Sequence, residues 1–126
     1  MIRYMTAFAL SAAAPVFAQE VSVPSGLDVR LFDVILEEDA PLARFRFVAP
    51  AIGGATPVGF TEMADDLQYL CEALVIPGLA ANGWTAQEVV ISLSEKELPF
   101  GTVSAEIAQY FQPFSVQDDT CIWEEF

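Results

Sequence analysis

The stretch Leu27-Asp28-Val29-Arg30-Leu31-Phe32-Asp33-Val34-Ile35-Leu36-Glu37-Glu38-Asp39-Ala40-Pro41-Leu42-Ala43-Arg44-Phe45-Arg46-Phe47-Val48-Ala49 decides the fold. Leu27 to Glu37 is rich in Val, Leu, Ile and Phe and reads as a strand. Glu38-Asp39-Ala40-Pro41 is a turn, and Leu42 to Ala49 is a second strand, so the segment predicts a β-hairpin. In the second strand, Phe45 and Phe47 point to one face and Arg44 and Arg46 to the other. The arginines would be stranded on an open face unless acids lie across from them. Asp33 and Glu37 on the first strand are the candidates. Cross-strand pairs of this kind contribute about 0.2–1 kcal/mol each. Arg44, Arg46, Asp33 and Glu37 therefore read as a polar sheet face, and only secondarily as a clamp for a substrate carboxylate.

Working outward, Pro24-Ser25-Gly26 is a turn that opens the folded part. Pro50 to Phe60 reads as a loop. Thr61 reads as a helix N-cap, with Glu62, Asp65 and Asp66 near the positive end of the helix dipole. Met63, Leu67, Leu70, Cys71 and Leu74 form one apolar stripe. Pro77-Gly78 reads as the stop, so a helix is expected from Thr61 to about Val75. A short helical turn is expected from Thr85 to Glu88, a strand over Val89–Ser94 and a short helix over Ser104–Ala108. Tyr110–Val116 reads as a strand that Pro113 makes an edge or a bulge. Asp118-Asp119 is a turn before a last strand at Cys121–Glu124. The fold class expected is α+β: a small antiparallel sheet, made of the N-terminal hairpin plus C-terminal strands, packed on one main amphipathic helix.

Met1 to Ala18 reads as a secretory signal peptide. Arg3 supplies the positive start, Met5–Ala14 the apolar run, and Val16-Phe17-Ala18 the cleavage site before Gln19-Glu20. The run is shorter than the roughly 20 residues needed to span a bilayer, so no stable membrane insertion is expected after cleavage. Residues 19–126 then form a single domain, periplasmic or secreted. In an oxidising compartment an isolated cysteine pair is a disulfide, here Cys71 with Cys121. No C-x-x-C and no basic neighbour points to a redox role.

The chain has 126 residues, 18 acids, five basic residues and no histidine, for a net charge of −13. Cleavage would also remove Arg3. Such a surface repels phosphate backbones, so no nucleic acid and no anionic membrane is expected as a partner. A cationic protein partner is expected instead. The lack of histidine excludes His-based triads and ordinary catalytic zinc sites. Glu37-Glu38-Asp39, Asp65-Asp66, Asp118-Asp119 and Glu124-Glu125 are sequence neighbours on turns or exposed faces. They lack both the opposed geometry of a glycosidase pair and the spacing of a calcium loop. Gly53-Gly54 is not a phosphate loop, and Ser92, Ser94 and Lys96 do not have the spacing of a Ser–Lys nucleophile. No cofactor, no metal and no catalytic residue is implied, and oligomeric state has no sequence signal.

Val23-Pro24-Ser25-Gly26, Phe45-Arg46-Phe47-Val48-Ala49-Pro50, Tyr69-Leu70-Cys71-Glu72, Val90-Ile91-Ser92-Leu93-Ser94 and Asp119-Thr120-Cys121-Ile122-Trp123-Glu124 together resemble a family of small exported bacterial proteins with a domain of unknown function. Some members bear the automatic name acetolactate synthase. That enzyme needs several hundred residues and a thiamine diphosphate site with its metal-binding motif, and neither is present. The resemblance transfers no catalytic residue. The expected function is an acidic binding or accessory domain, with a small Asp/Glu-dependent hydrolase as the alternative. Two paired carboxylates in one cleft, one of them buried, would favour the hydrolase.

Overall fold

The computed structural model describes residues 19–54 and 58–125; the leader assigned to Met1–Ala18 lies outside them. A six-stranded sheet runs in chain order: β1 (Gln19–Val21), β2 (Val29–Glu37), β3 (Leu42–Val48), β4 (Glu88–Ser94), β5 (Gln109–Gln117) and β6 (Thr120–Trp123). Between β3 and β4 lies one continuous helix. It comprises α1 (Phe60–Tyr69), a π-helical segment (Leu70–Val75) and α2 (Ile76–Ala81). The class is α+β, but the sheet is larger than the sequence indicated and is mixed, not antiparallel. β1 is an added edge strand that pairs Gln19–Val21 with Val29–Leu31. β3 and β4 pair in parallel, from Leu42↔Glu88 to Val48↔Ser94. A parallel pair cannot be closed by a tight turn; it needs a crossover, and the helix is that crossover.

One sheet face packs on the helix. Phe45 and Phe47 of β3, Val89, Ile91 and Leu93 of β4, Phe114 of β5 and Cys121 of β6 are buried there against Met63, Leu67, Leu70, Cys71, Val75 and Leu79. Full burial of each large apolar side chain contributes about 1.5–3 kcal/mol. This core fixes which way every strand faces.

The helix differs from expectation at both ends. Its N-cap is Gly59 and not Thr61, and Glu62 reaches back to accept the Gly59 N–H at 3.3 Å. Its end is Ala81, because Pro77-Gly78 is absorbed instead of stopping it. A proline ring clashes with the carbonyl four residues back and offers no N–H. The wider π turn lies directly before Pro77, and Ile76 N–H bonds to Cys71 O, five residues back. This widening accommodates the ring. It also rotates the stripe: Leu74, expected in the core, is only half-buried, while Val75 and Leu79 are buried.

Three further expectations are corrected. Thr85–Gln87 is not helical, because Gln87 and Glu88 N–H groups both turn to Pro41 O, at 3.0 and 3.3 Å. Ser104–Ala108 makes a single turn, closed by Ile107 N–H to Ser104 O at 3.2 Å, and no helix. Pro113 pairs with Val90 in an unbroken β4–β5 register and so makes no bulge, while on its other side the β5–β6 register begins at Phe114. Its carbonyl accepts Glu124 N–H at 3.1 Å. Its nitrogen therefore also faces the β6 side, just where β6 ends, so no internal ladder bond is lost.

Candidate functional site

The sheet face away from the helix carries the arginines, and a β-bulge sets its chemistry. Val29 and Leu31 of β2 are buried in the core. Strict alternation would send Asp33 there too. The β2–β3 register slips between Leu31 and Asp33, which leaves Phe32 as the extra residue. After the slip Asp33 lies opposite Arg46, Ile35 opposite Arg44, and Glu37 opposite Leu42. Both acids thereby reach the arginine face. Arg46 Nη1 donates to Asp33 Oδ2 at 2.6 Å, and Arg44 Nε donates to Glu37 Oε2 at 2.9 Å.

This face holds down the long connection from β4 to β5. Arg46 Nη2 donates to Leu98 O at 2.6 Å, and Arg30 of β2 pairs with Glu97 at 2.6 Å. The Phe100 ring lies 5.4 Å from the Arg44 guanidinium and 5.5 Å from that of Arg46, and the Phe32 ring lies 4.8 Å from Arg46. Cation–π contacts of this sort are worth about 0.5–2 kcal/mol, most when desolvated. The Arg46 side chain is only 13% exposed. Glu95 closes the base of the loop: its N–H donates to Ala108 O at 3.0 Å, and its Oε1 accepts Ala108 N–H at 2.7 Å. A cavity of about 110 Å³ remains beneath, lined by Phe32, Arg46, Ser92, Phe100 and Phe111 among others. Both guanidiniums are thus held by acids of their own chain, and their visible task is to latch residues 95–108 to the sheet.

Cys71 and Cys121 form a disulfide that ties the π segment to β6. The surrounding side chains reinforce it. Gln68 Nε2 donates to Cys121 O at 2.7 Å and to Glu72 Oε2 at 3.0 Å, and Cys121 N–H donates to Glu72 Oε2 at 3.1 Å. An edge strand presents unpaired backbone groups that invite pairing with another chain. Here two helix side chains cap that edge at Cys121.

The carboxylates separate into spent and free. Asp66 is the wholly buried one among the described residues. It accepts Ser25 N–H at 3.0 Å and Ser25 O–H at 2.5 Å, which pins the Pro24–Gly26 turn to the helix. The register brings Glu38 and Asp39, Glu88, and Asp118 and Asp119 to one end of the sheet, all exposed. Asp118 and Asp119 both have positive φ, 52° and 61°. No three acid or cysteine side chains among the described residues converge as a metal site.

The aromatics fall on both sides of the boundary. Phe114 is fully buried. Trp84, Tyr110 and Trp123 are half-buried, and Tyr69 and Phe111 are exposed. Phe60, which reads from sequence only as the last loop residue, opens α1 and packs edge-on against Trp123 with ring centroids 6.0 Å apart.

With this geometry in hand, comparison with known proteins adds one finding. The profile of the family of unknown function DUF6497 matches residues 5–126. The chain belongs to this family. No curated protein and no solved structure matches the chain. No helix among the described residues is long and apolar enough to cross a membrane.

Proposed function

We propose that this DUF6497 protein is an exported binding or accessory domain that offers an acidic surface to a cationic protein partner. One observation carries the reading. Among the described residues every arginine is neutralised from within, by Asp33, Glu37 or Glu97. The free carboxylates outnumber Lys96, the remaining described cation, many times over. The resulting field attracts cations at long range and is screened by salt. Export is supported by the Met1–Ala18 pattern and by the Cys71–Cys121 bond, which fits an oxidising compartment.

The test has two arms. Fractionation of cells expressing the full chain should yield protein beginning at Gln19 in the periplasm or medium; full-length protein confined to the cytosol would overturn export. The purified domain, immobilised, should capture a basic protein from cell-envelope extract at low salt. After that protein is identified and purified, its Kd should rise steeply with ionic strength. A Kd unchanged between about 50 and 500 mM salt, across which the screening length falls severalfold, overturns the electrostatic reading.

A further inference from the structure

A groove of about 470 Å³ lies where the start of α1 meets β5 and the end of β6. Phe60, Tyr110, Phe111 and Trp123 line it together with Glu124 and Glu125. Three of its rings, Phe60, Tyr110 and Trp123, are held in place. Trp123 packs edge-on against the buried Phe114 at 5.4 Å, and Phe60 contacts Trp123 at 6.0 Å and Tyr110 at 6.3 Å. Yet the Phe60 ring, held between Trp123 and Tyr110, is 48% exposed. A fixed aromatic ring left half-open to water has no explanation in the core beneath it. Glu124 is held, since its Oε2 accepts the Ser115 hydroxyl at 2.7 Å, whereas Glu125 is exposed.

The lining defines the ligand. Aromatic faces carry negative quadrupole charge and attract cations. Two adjacent glutamates disfavour an anion and offer a cation a charge contact that a neutral guest cannot make. A lysine or arginine side chain has the matching form, an apolar stem ending in a positive group. We propose that this groove anchors an arginine or lysine side chain from a basic segment of the protein partner. The proposal rests on the binding function above and goes beyond it, by replacing a diffuse acidic surface with one recognition point.

Because the chain has two tryptophans, Trp84→Phe leaves Trp123 as the sole indole reporter. In that background, an eight-residue peptide of alternating arginine and glycine should change Trp123 emission saturably. The same peptide with citrulline for arginine, equal in shape but uncharged, should not. Phe60→Ala and Glu125→Gln should each raise Kd about two- to fivefold, the range that exposed cation–π and charge contacts provide. Phe60→Leu, which keeps apolar bulk without the π face, should weaken binding likewise and covers any misfolding of Phe60→Ala. Asp28→Asn removes one charge at the opposite edge of the sheet and should shift Kd less than twofold. If Asp28→Asn weakens binding as much as Glu125→Gln, or if Phe60→Leu binds like wild type, the groove is overturned while the acidic-surface reading stands. If the arginine peptide fails to bind but the captured partner keeps its salt-dependent Kd, the groove alone falls. If neither binds, both readings fall.

Discussion

Replacing Cys71 and Cys121 together by alanine should cost about 4 kcal/mol. The bond closes a loop with a sequence separation of 50. In the chain-entropy model the unfolded state loses about 2.1 + 1.5R ln n cal/mol/K, which at n of about 50 and room temperature is roughly 4 kcal/mol. Both cysteines are buried, at 0% and 3% exposure, so each substitution also leaves a small void. A domain of this size has about 5–15 kcal/mol in all, so the variant would keep roughly 1–11 kcal/mol of it. Each kcal/mol is worth about 4–8 °C in a domain near this size, so Tm should fall by roughly 15–30 °C. Thermal unfolding followed by circular dichroism, with wild type run with and without reductant, measures this. The bond is buried, so native protein should resist reductant until the helix and β6 separate. A fall of less than about 5 °C would refute the loop-entropy reasoning. It would mean that Gln68, Glu72 and the apolar contacts already fix the helix to β6 without the covalent link.

Three further outcomes are expected. Asp118→Asn with Asp119→Gly, which places the favoured residues of a primed hairpin turn at two positive-φ positions, should raise stability by about 1–2 kcal/mol in denaturant titrations. Asp66→Ala removes two hydrogen bonds from a fully buried carboxylate and should cost about 2–3 kcal/mol; hydrogen exchange at the Ser25 and Leu27 amides should speed up before that of the β3–β4 core. Gly53→Ala would drive a Cβ into the Glu95 carboxyl group and displace it from Ala108 N–H. The 95–108 loop should become protease-sensitive, and the stability loss, about 1–2 kcal/mol, should be absent in a Glu95→Ala background.

Some of this was legible in the chain and some was not, for reasons that lie in particular residues. The Phe45/Phe47 against Arg44/Arg46 alternation fixes the faces of β3, because a regular strand has period two and only one face can hold guanidiniums. The face of β2 is not fixed that way: the extra residue Phe32 interrupts the period, and a bulge leaves no mark in an apolar run. The near-continuous Val-Val-Ile-Ser-Leu-Ser of β4 identifies a strand but not its parallel neighbour. That pairing depends on where a 22-residue helix delivers the chain. Pro77-Gly78 signals a stop in any regular helix; the π turn ahead of it, set by packing of Leu70, Cys71 and Val75, overrides the signal. The aromatic groove was hidden because Phe60, Tyr110 and Trp123 share no local pattern and meet only through the tertiary fold.

The strand order has a kinetic consequence. Each strand hydrogen-bonds to its sequence neighbour throughout the sheet, so turns or loops, the longest being residues 95–108, close every ladder but one. The exception is the seam where Arg44, Arg46 and Val48 meet Val90, Ser92 and Ser94. Two independent halves, β1–β3 and β4–β6, can each zip early and then meet across that seam once the helix has condensed between them. If the junction of the halves limits the rate, chevron analysis should show that substitutions at Phe45, Phe47, Ile91 or Leu93 slow folding, whereas those in β1 chiefly speed unfolding.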